Sequence, residues 1–226
     1  MKLSVERGYL LKAISQAQSV VERRNTIPIL SNVLIEADGD AANFRATDLD
    51  IEVVDKAPAQ IEKPGSSTVS AITLHEIVRK LPDGALVTLT GDTDKGRLTV
   101  EAGRSNFSLA TLPKEDFPII DQQIDGVSIK VNSQILFQLI DKTRFAISNE
   151  ETRYFLNGLY FNVFEENNKT NLTLVGTDGH RLAKFSHHID QKIDQITGVI
   201  IPKKTIYELS KLSLIHISEP TRRRGI

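Results

Sequence analysis

Three carboxylates alternate along one stretch of the chain, at Asp48, Asp50 and Glu52. If this stretch is a strand, residues two apart point to the same face, and the three side chains could hold a metal ion that activates water in a nuclease. Asp178 and His180 could add a general base. The same alternation arises on any solvated sheet face, so a metal-dependent nuclease is one hypothesis that needs support from the rest of the sequence.

Two other patterns have the residues of a chemical site without its spacing. The stretch from Gly91 to Gly96 has the glycine spacing of a phosphate-binding loop, but Arg-Leu follows it where such a loop has Lys-Ser or Lys-Thr. His187 and His188 are adjacent on a predicted strand and therefore point to opposite faces. The chain has no cysteine, which excludes disulfides and thiolate metal sites. We therefore expect no catalytic residues, no metal and no cofactor.

The elements that would position these residues occur twice. When the sequence is shifted along itself by about 126 to 132 residues, Leu30 falls on Leu156 and Thr47-Asp48 falls on Thr177-Asp178. The apolar positions Leu3, Val5, Leu10, Ile14 and Val21 fall on Ile129, Val131, Leu136, Ile140 and Ile147. A repeat of this length indicates that a whole domain is built more than once.

Each copy has the same predicted order of a strand, a helix, three strands and a second helix. In the first copy these are 2–5, 10–21, 33–36, 43–46, 51–54 and 74–81, followed by further strands at 86–90, 97–101 and 106–109. In the second copy they are 128–131, a helix with Ser133 as N-cap and Leu136, Ile140 and Ile147 on one face, 159–163, 172–175, 183–186 and 203–212. This order predicts an α+β fold in which each complete unit packs two helices on a larger antiparallel sheet.

The domain boundaries follow from the repeat. We expect a first domain at 1–120 and a truncated second domain at 128–212, with the stretch 113–126 as the linker. Residues 213–226 match nothing in the first copy and read like a translated sequencing adapter, so we expect a non-native tail and no third domain. The amino terminus lacks the apolar core of a signal peptide, and no apolar run approaches the ~20 residues of a membrane span. We expect a cytoplasmic protein with no membrane partner.

The charges are sorted although the net charge is only −1. The predicted helices carry the basic residues Arg7, Lys12, Arg23, Arg24, Arg79, Lys80, Lys142, Arg144, Lys203, Lys204 and Lys211. Their acidic residues, Glu6, Glu22, Glu76, Asp141 and Glu208, are about half as many. A surface of such helices could hold a phosphate backbone without reading bases. Lys and Arg also favour any solvated helix face, so charge alone does not decide for nucleic acid.

Five motifs in this order resemble those of the bacterial sliding clamp family, the beta subunit of DNA polymerase III. They are Arg24-Asn-Thr-Ile-Pro-Ile-Leu-Ser-Asn32, Ala46-Thr-Asp-Leu49, the run from Phe107 to Pro118, Arg153-Tyr-Phe-Leu-Asn-Gly158 and the run from Gly176 to Ala183. The resemblance covers 1–212. It implies a clamp fold with three such units per protomer and two protomers in a ring around duplex DNA.

The resemblance also implies the function and the partners. A clamp performs no chemistry; it tethers a polymerase and so raises its effective concentration at the primer end. The implied partners are double-stranded DNA bound without sequence preference, polymerase III and clamp-loader subunits, other clamp-binding polymerases and repair proteins, and a second protomer. Because the third unit is missing here, we do not expect this chain to close a ring.

The family's DNA contacts map onto Arg24, Tyr154, Phe155 and Glu150, and the basic helix faces add Arg7, Arg79, Lys80 and Lys203. Glu150 and Ile72 depart from the amide and the arginine that the family can carry there. The family's partner-peptide pocket maps onto Leu156, Thr177, Gly179, His180, Arg181 and Leu182. Without the resemblance, these six residues would be interpreted as a hairpin turn and core. Besides the nuclease, a peptide-binding scaffold that does not retain DNA stays open as an alternative function.

Overall fold

The chain forms two compact units, Met1–Gln122 and Gln123–Ile226. The computed structural model describes residues 1–21, 26–119, 128–150, 152–166, 169–191, 193 and 196–215. Within these ranges no helix is both long and apolar enough to cross a membrane. We refer to Met1–Gln122 as unit 1 and to Gln123–Ile226 as unit 2.

Unit 1 contains two helices and nine strands within its described residues. In chain order they are β1 (Lys2–Glu6), α1 (Arg7–Val20), β2 (Asn32–Asp38), β3 (Ala41–Thr47), β4 (Glu52–Pro58), β5 (Gln60–Lys63), β6 (Gly65–Ser70), α2 (Ala71–Lys80), β7 (Leu86–Asp92), β8 (Arg97–Ala102) and β9 (Ser105–Ala110). The strands form two antiparallel sheets, of order β5-β1-β7-β8-β9 and β4-β3-β2-β6. The sequence predicted one larger sheet; the chain instead passes from one sheet to the other at Ala59, between β4 and β5.

The core of unit 1 lies where the helices pack against the sheets. Leu10, Ile14 and Ala17 are fully buried on one face of α1, as their helical spacing predicts. They share one apolar cluster with Ile35 of β2 and Leu89 of β7, which come from different sheets. The α+β class and the helix face are therefore confirmed.

The predicted linker 113–126 begins as an ordered part of unit 1. The Thr68 hydroxyl donates to the carbonyl of Leu112 at 2.6 Å and accepts from the N–H of Leu112 at 3.0 Å. Phe117 is 4% exposed and packs in a small apolar cluster with Ile29, Leu30 and Leu34. Burial of the Phe117 ring therefore packs the first part of this predicted linker on unit 1, inside the predicted first domain 1–120; residues 120–127 lie outside the described residues.

Unit 2 repeats the second sheet of unit 1. Its elements are α3 (Ser133–Asp141), β10 (Gly158–Glu166), β11 (Lys169–Thr177), β12 (Leu182–Ile189), β13 (Ile196–Pro202) and α4 (Lys203–Ile215). The sheet order is β12-β11-β10-β13, with all neighbours antiparallel. Helix α4 runs past its predicted end at 212, and most of the predicted tail lies outside the described residues. The N-cap of α3 is Asn132, whose side chain accepts from Gln134 N–H at 2.8 Å, and not Ser133.

The predicted strand at 128–131 is wrong. Residues 128–132 contain no strand, whereas β1, their counterpart in unit 1, pairs with both β5 and β7. The described part of unit 2 offers no counterpart of β7, so this segment lacks a neighbouring strand. The side-chain amide of Gln191 takes the place of a neighbouring strand on one side of this segment. It accepts from Lys130 N–H and donates to Ser128 C=O, each at 3.0 Å.

Candidate functional site

A tight turn joins β3 to β4 in unit 1. Thr47 Oγ1 accepts from Leu49 N–H at 3.0 Å, and Asp48 Oδ1 accepts from the N–H groups of Asp50 at 3.1 Å and Ile51 at 2.8 Å. The Asp48 N–H closes the turn onto the Ile51 carbonyl at 3.3 Å. Leu49 has φ +80°, a left-handed conformation that costs a side chain about 1 kcal/mol or more. The hydrogen bonds that Thr47 and Asp48 accept stabilise the turn and so compensate for this strain.

The same turn joins β11 to β12 in unit 2, among the residues that the sequence analysis assigned to a partner-peptide pocket. Thr177 Oγ1 accepts from Gly179 N–H at 3.2 Å, and Asp178 Oδ1 accepts from His180 N–H at 3.0 Å and Arg181 N–H at 2.9 Å. The Arg181 side chain adds an ion pair to Asp178 Oδ2 at 2.9 Å. Hydrogen bonds from the backbone N–H of Arg181 and then of His180 lower the pKa of the Asp178 carboxyl from its ordinary value. Gly179 takes φ +91°, a conformation that glycine adopts without strain.

The carboxylate cluster proposed for a nuclease does not form. β4 begins at Glu52, so Asp48 and Asp50 lie in the turn and not on the strand. Asp48 accepts the turn N–H groups, and Glu52 pairs with Arg45 at 2.8 Å. Among the described residues, no group of three or more His, Asp and Glu side chains could hold a metal ion. The prediction failed because β4 starts at Glu52, four residues after Asp48, so the three side chains do not alternate along one strand.

The remaining residues predicted for the partner-peptide pocket flank the turn of unit 2. Leu182 opens β12 and is 67% exposed, and Leu156 ends a short 3-10 turn and is half-buried. The Arg181 guanidinium lies 5.7 Å from the centre of the Phe145 ring. The structure therefore places a cation, a tight turn and an exposed leucine next to one another in the chain. The sequence analysis did not identify Phe145 as a site residue.

The aromatic loop, which we define as residues 148–150 and 152–157, lies close to this turn. A Cβ atom at Gly179 would stand 3.8 Å from Arg153 Nη1. Tyr154 and Phe155 are 79% and 54% exposed, and their rings meet edge to face with centres 5.6 Å apart. Glu150 pairs with Arg153 at 3.0 Å, so its negative charge is compensated within the loop. Two of the predicted DNA contacts are thus exposed rings on one loop.

Lys203 stands beside the aromatic loop at the first turn of α4. Its ammonium donates to Asn149 Oδ1 and lies 5.9 Å from the centre of the Tyr207 ring. A shallow cavity of about 290 Å³ opens here, lined by Asn149, Asn157, Lys203, Lys204 and Tyr207. Nothing in the sequence indicates Asn149 and Tyr207, because only the fold brings the loop amide and the tyrosine ring of α4 next to the same lysine.

The basic residues predicted to contact DNA in unit 1 differ in whether their side chains are already bound within the fold. Arg79 and Lys80 are exposed in the last turn of α2. Arg7, by contrast, donates from Nε to the Val78 carbonyl at 3.2 Å and from Nη2 to the Arg79 carbonyl at 2.9 Å, and it pairs with Asp83. Its guanidinium caps α2, and its proposed DNA contact stays a prediction. Arg24 lies outside the described residues.

Sequence reasoning missed one exposed surface of unit 1. β9 is an edge strand of its sheet, and Phe107 on it is 38% exposed. With α2 it borders a cavity of about 220 Å³ lined by Thr73, Glu76, Ile77, Lys80, Leu81, Ser105 and Phe107. An open edge strand beside an apolar cavity is a ready surface for another chain.

Comparison with known proteins identifies relatives of both units. The family described as DNA polymerase III beta subunit, N-terminal domain, matches residues 1–121, and its central domain matches residues 130–216. The beta sliding clamp of Caulobacter vibrioides (strain NA1000 / CB15N) is 55% identical over 214 residues, which are 94% of this chain and 57% of that protein. The beta sliding clamp of Escherichia coli (strain K12) is 37% identical over 213 residues, with 94% and 56% covered.

Solved structures give the same result. A sliding clamp from Bartonella birtlesii, bound to griselimycin, superposes with a TM-score of 0.90 at 44% identity and covers 95% of this chain and 57% of that one. A Caulobacter crescentus pol III beta structure has a TM-score of 0.88 at 54% identity, with 95% and 58% covered. The chain therefore spans a little over half the length of these relatives.

Proposed function

Because the chain belongs to the DNA polymerase III beta subunit family, we propose that it supplies the first two domains of a sliding clamp, the processivity factor of the replicative DNA polymerase. The observation that carries this proposal is the match of both units, in order, to the amino-terminal and central domains. The clamp is not an enzyme. It acts in the cytoplasm by holding polymerase III near its primer end, which raises the local concentration of polymerase without a new chemical step.

The DNA surface of unit 2 is the aromatic loop together with Lys203. Tyr154 and Phe155 present exposed rings, and Lys203 presents a cation at the adjacent helix end. Such groups contact phosphate and sugar without reading base edges. Arg79 and Lys80 contribute in unit 1, and Arg24 and Arg7 complete the proposed set. Glu150 is tolerated because Arg153 compensates its charge.

The partner-peptide pocket receives short segments of polymerase III, of clamp-loader subunits, and of other clamp-binding polymerases and repair proteins. The exposed Leu182 offers apolar area, and Arg181 offers a cation beside it. Gly179 permits the turn that presents both. In the longer protein, a second protomer meets β9 and Phe107 of unit 1, because an open strand edge next to an apolar cavity can extend its sheet with a strand of another chain.

Duplex DNA binding tests this proposal. Anisotropy of a labelled duplex of arbitrary sequence, measured against salt, should show weak binding with a negative log–log slope. Lys203→Ala should weaken it and reduce the slope by about 0.9, as expected for one lost phosphate contact. Lys184→Ala, an exposed lysine of β12, is the matched control and should leave the slope unchanged. Identical slopes for the two variants would remove Lys203 from the DNA surface. Absence of any binding at low salt would favour the peptide-binding scaffold.

A further inference from the structure

One lysine, Lys203, fastens the aromatic loop to the start of α4. Its backbone N–H donates to the carbonyl of Asn157 at 3.1 Å, and its ammonium donates to Asn149 Oδ1. The base of the loop is closed separately, because Ser148 N–H donates to the carbonyl of Leu156 at 3.0 Å. The tie between the ammonium and Asn149 therefore joins the beginning of the loop to the helix, as the Asn157 carbonyl joins its end.

The two ties set where the exposed rings of the loop lie relative to this cation. Tyr154 and Phe155 stand between the ties, in a short 3-10 turn that is held by its own backbone. Leu156 N–H donates to the Arg153 carbonyl at 2.8 Å, and Asn157 N–H donates to the Tyr154 carbonyl at 3.1 Å. Because these bonds join only residues of the loop, they fix its shape, whereas the ties to the lysine fix its place on α4.

The groups that hold the Lys203 ammonium carry no negative charge. Asn149 is a neutral amide, and a second neighbour is the Tyr207 ring, whose centre lies 5.9 Å away. Four other basic residues of unit 2 are instead paired with a carboxylate three positions earlier in the chain. These ion pairs are Arg144–Asp141, Arg153–Glu150, Arg181–Asp178 and Lys211–Glu208. Within the described residues, Lys203 is thus fixed in position without having its charge compensated.

We propose that Asn149 is a positioning residue for duplex DNA. Its neutral oxygen holds the Lys203 ammonium beside the rings of Tyr154 and Phe155 and leaves the charge of that ammonium to the phosphate backbone. An ammonium has three N–H donors, so the tie to Asn149 leaves two for phosphate oxygens. This inference rests on the proposed function and deepens it, since it assigns the arrangement of the DNA surface of unit 2 to one amide.

Asn149→Ala removes the tie and keeps every charge. The lysine and the rings must then be ordered during binding, which should weaken the affinity for DNA about two- to tenfold. The slope of log affinity against log salt should stay unchanged, because Lys203 still neutralises one phosphate. Anisotropy of a labelled duplex of arbitrary sequence measures both quantities. Asn162→Ala on β10, outside the loop and its cavity, is the matched control and should alter neither.

Asn149→Asp separates the position of the lysine from its charge. The new carboxylate keeps the tie but compensates the ammonium, so the affinity for DNA should fall and the salt slope should decrease by about 0.9. Hydrogen exchange without DNA reports the tie itself. The amides of Leu156 and Asn157 should exchange about threefold faster or more in Asn149→Ala and at the unchanged rate in Asn149→Asp. Unchanged exchange in β10 and β11 shows that unit 2 of each variant is folded.

A second background shows whether Asn149 acts through Lys203. In Lys203→Ala, the further change Asn149→Ala should have no effect on DNA affinity; a second loss of the same size would mean that Asn149 contacts DNA itself and would overturn the positioning role. Unchanged affinity or unchanged loop exchange in Asn149→Ala, or an unchanged slope in Asn149→Asp, would overturn this inference and leave the proposed function standing. Absence of DNA binding by the unmodified chain at low salt would overturn both.

Discussion

The two turns at Thr47–Ile51 and Thr177–Arg181 share the hydrogen bonds that their threonine and aspartate side chains accept, but they differ in the residue that bears the positive φ. Unit 1 has Leu49 there at +80°, and unit 2 has Gly179 at +91°. In both, a threonine hydroxyl and an aspartate carboxylate accept the turn N–H groups. The side-chain acceptors therefore determine the turn, and glycine only removes its strain.

The two units also differ in how much of one sheet face is exposed. Unit 1 covers Leu34 with its own Phe117, whereas unit 2 leaves Tyr160 and Ile200 exposed. Unit 1 also surrounds β1 with two strands, whereas unit 2 holds the equivalent segment with the side chain of Gln191. Within the described residues, the sheet face is thus closed in unit 1 and open in unit 2.

The largest effect should come from uncovering the closed face. Phe117→Ala should lower the free energy of unfolding of unit 1 by about 3 kcal/mol, because it removes a buried aromatic ring. Phe155→Ala, on an exposed ring in unit 2, should cost less than about 1 kcal/mol. Urea unfolding followed by unit-specific amide signals measures both. Equal costs would mean that Phe117 does not cover the face.

A second comparison measures the two units in the unmodified chain. We expect residues 129–212 to exchange their amide hydrogens about tenfold faster than residues 1–115, because the apolar cluster of unit 2 is smaller and its first segment lacks strand neighbours. Hydrogen exchange with residue-level detection gives the rates. Equal protection in the two units would contradict the contrast between a closed and an open copy. In sedimentation we expect a monomer or an aggregate, and a stable closed dimer would contradict this expectation.

Exchanging the residues of the two turns sharpens the first comparison. Gly179→Ala should destabilise unit 2 by about 1 kcal/mol, because alanine cannot adopt φ +91° freely even though the nearest atom leaves room for a Cβ. Leu49→Gly should be neutral or stabilise unit 1 by up to about 1 kcal/mol, since it relieves the same strain and the leucine is already half exposed. Chemical unfolding at pH 7 tests whether the two variants change the free energy of unfolding in opposite directions. A clear loss of stability in Leu49→Gly would show that the Leu49 side chain contributes packing.

The smallest effect concerns pH. Hydrogen bonds lower the pKa of Asp178 in the folded state, so its carboxylate contributes stability above its unfolded pKa of about 3.8, and this contribution is lost as the pH falls through the lowered folded pKa. In Asp178→Asn that component of the acid dependence should be missing. Unfolding free energies of unit 2 measured from pH 7 down to pH 3 would reveal it. Parallel curves for the two proteins would contradict the assignment.

The sequence predicted what depends on local periodicity. The buried face of α1 at Leu10 and Ile14 and the strand cores around Ile35 and Leu172 follow from spacing alone. β5, β6 and β13 were missed, because β5 has only four residues, β6 and β13 contain glycine, and all three form strands by pairing with distant segments of the chain. The burial of Phe117 and the cap of α2 by Arg7 were missed for the same reason, since each is decided by a contact between distant segments.

The residues of the candidate site could be predicted from the sequence, but the residues that position them could not. Thr177 to Leu182 and the aromatic loop were selected through the family resemblance, and the structure brings Arg153 of that loop to 3.8 Å from the position of a Cβ atom at Gly179. Asn149 and Tyr207 around Lys203 could not be predicted, because an amide and a ring become a lysine site only when a loop meets a helix end. The positive φ of Leu49 had no sequence signal, as leucine is an unusual residue for that conformation.

The most direct test of the clamp assignment is a chemical-shift map of the whole chain with a short duplex DNA of arbitrary sequence at low salt. We predict shifts at Tyr154, Phe155 and Lys203 in unit 2 and at Arg79 and Lys80 in unit 1, all vanishing together as salt is raised and unchanged when the DNA sequence is changed. Shifts confined to the strands, or a footprint that changes with the DNA sequence, would contradict a surface that holds duplex DNA and slides along it.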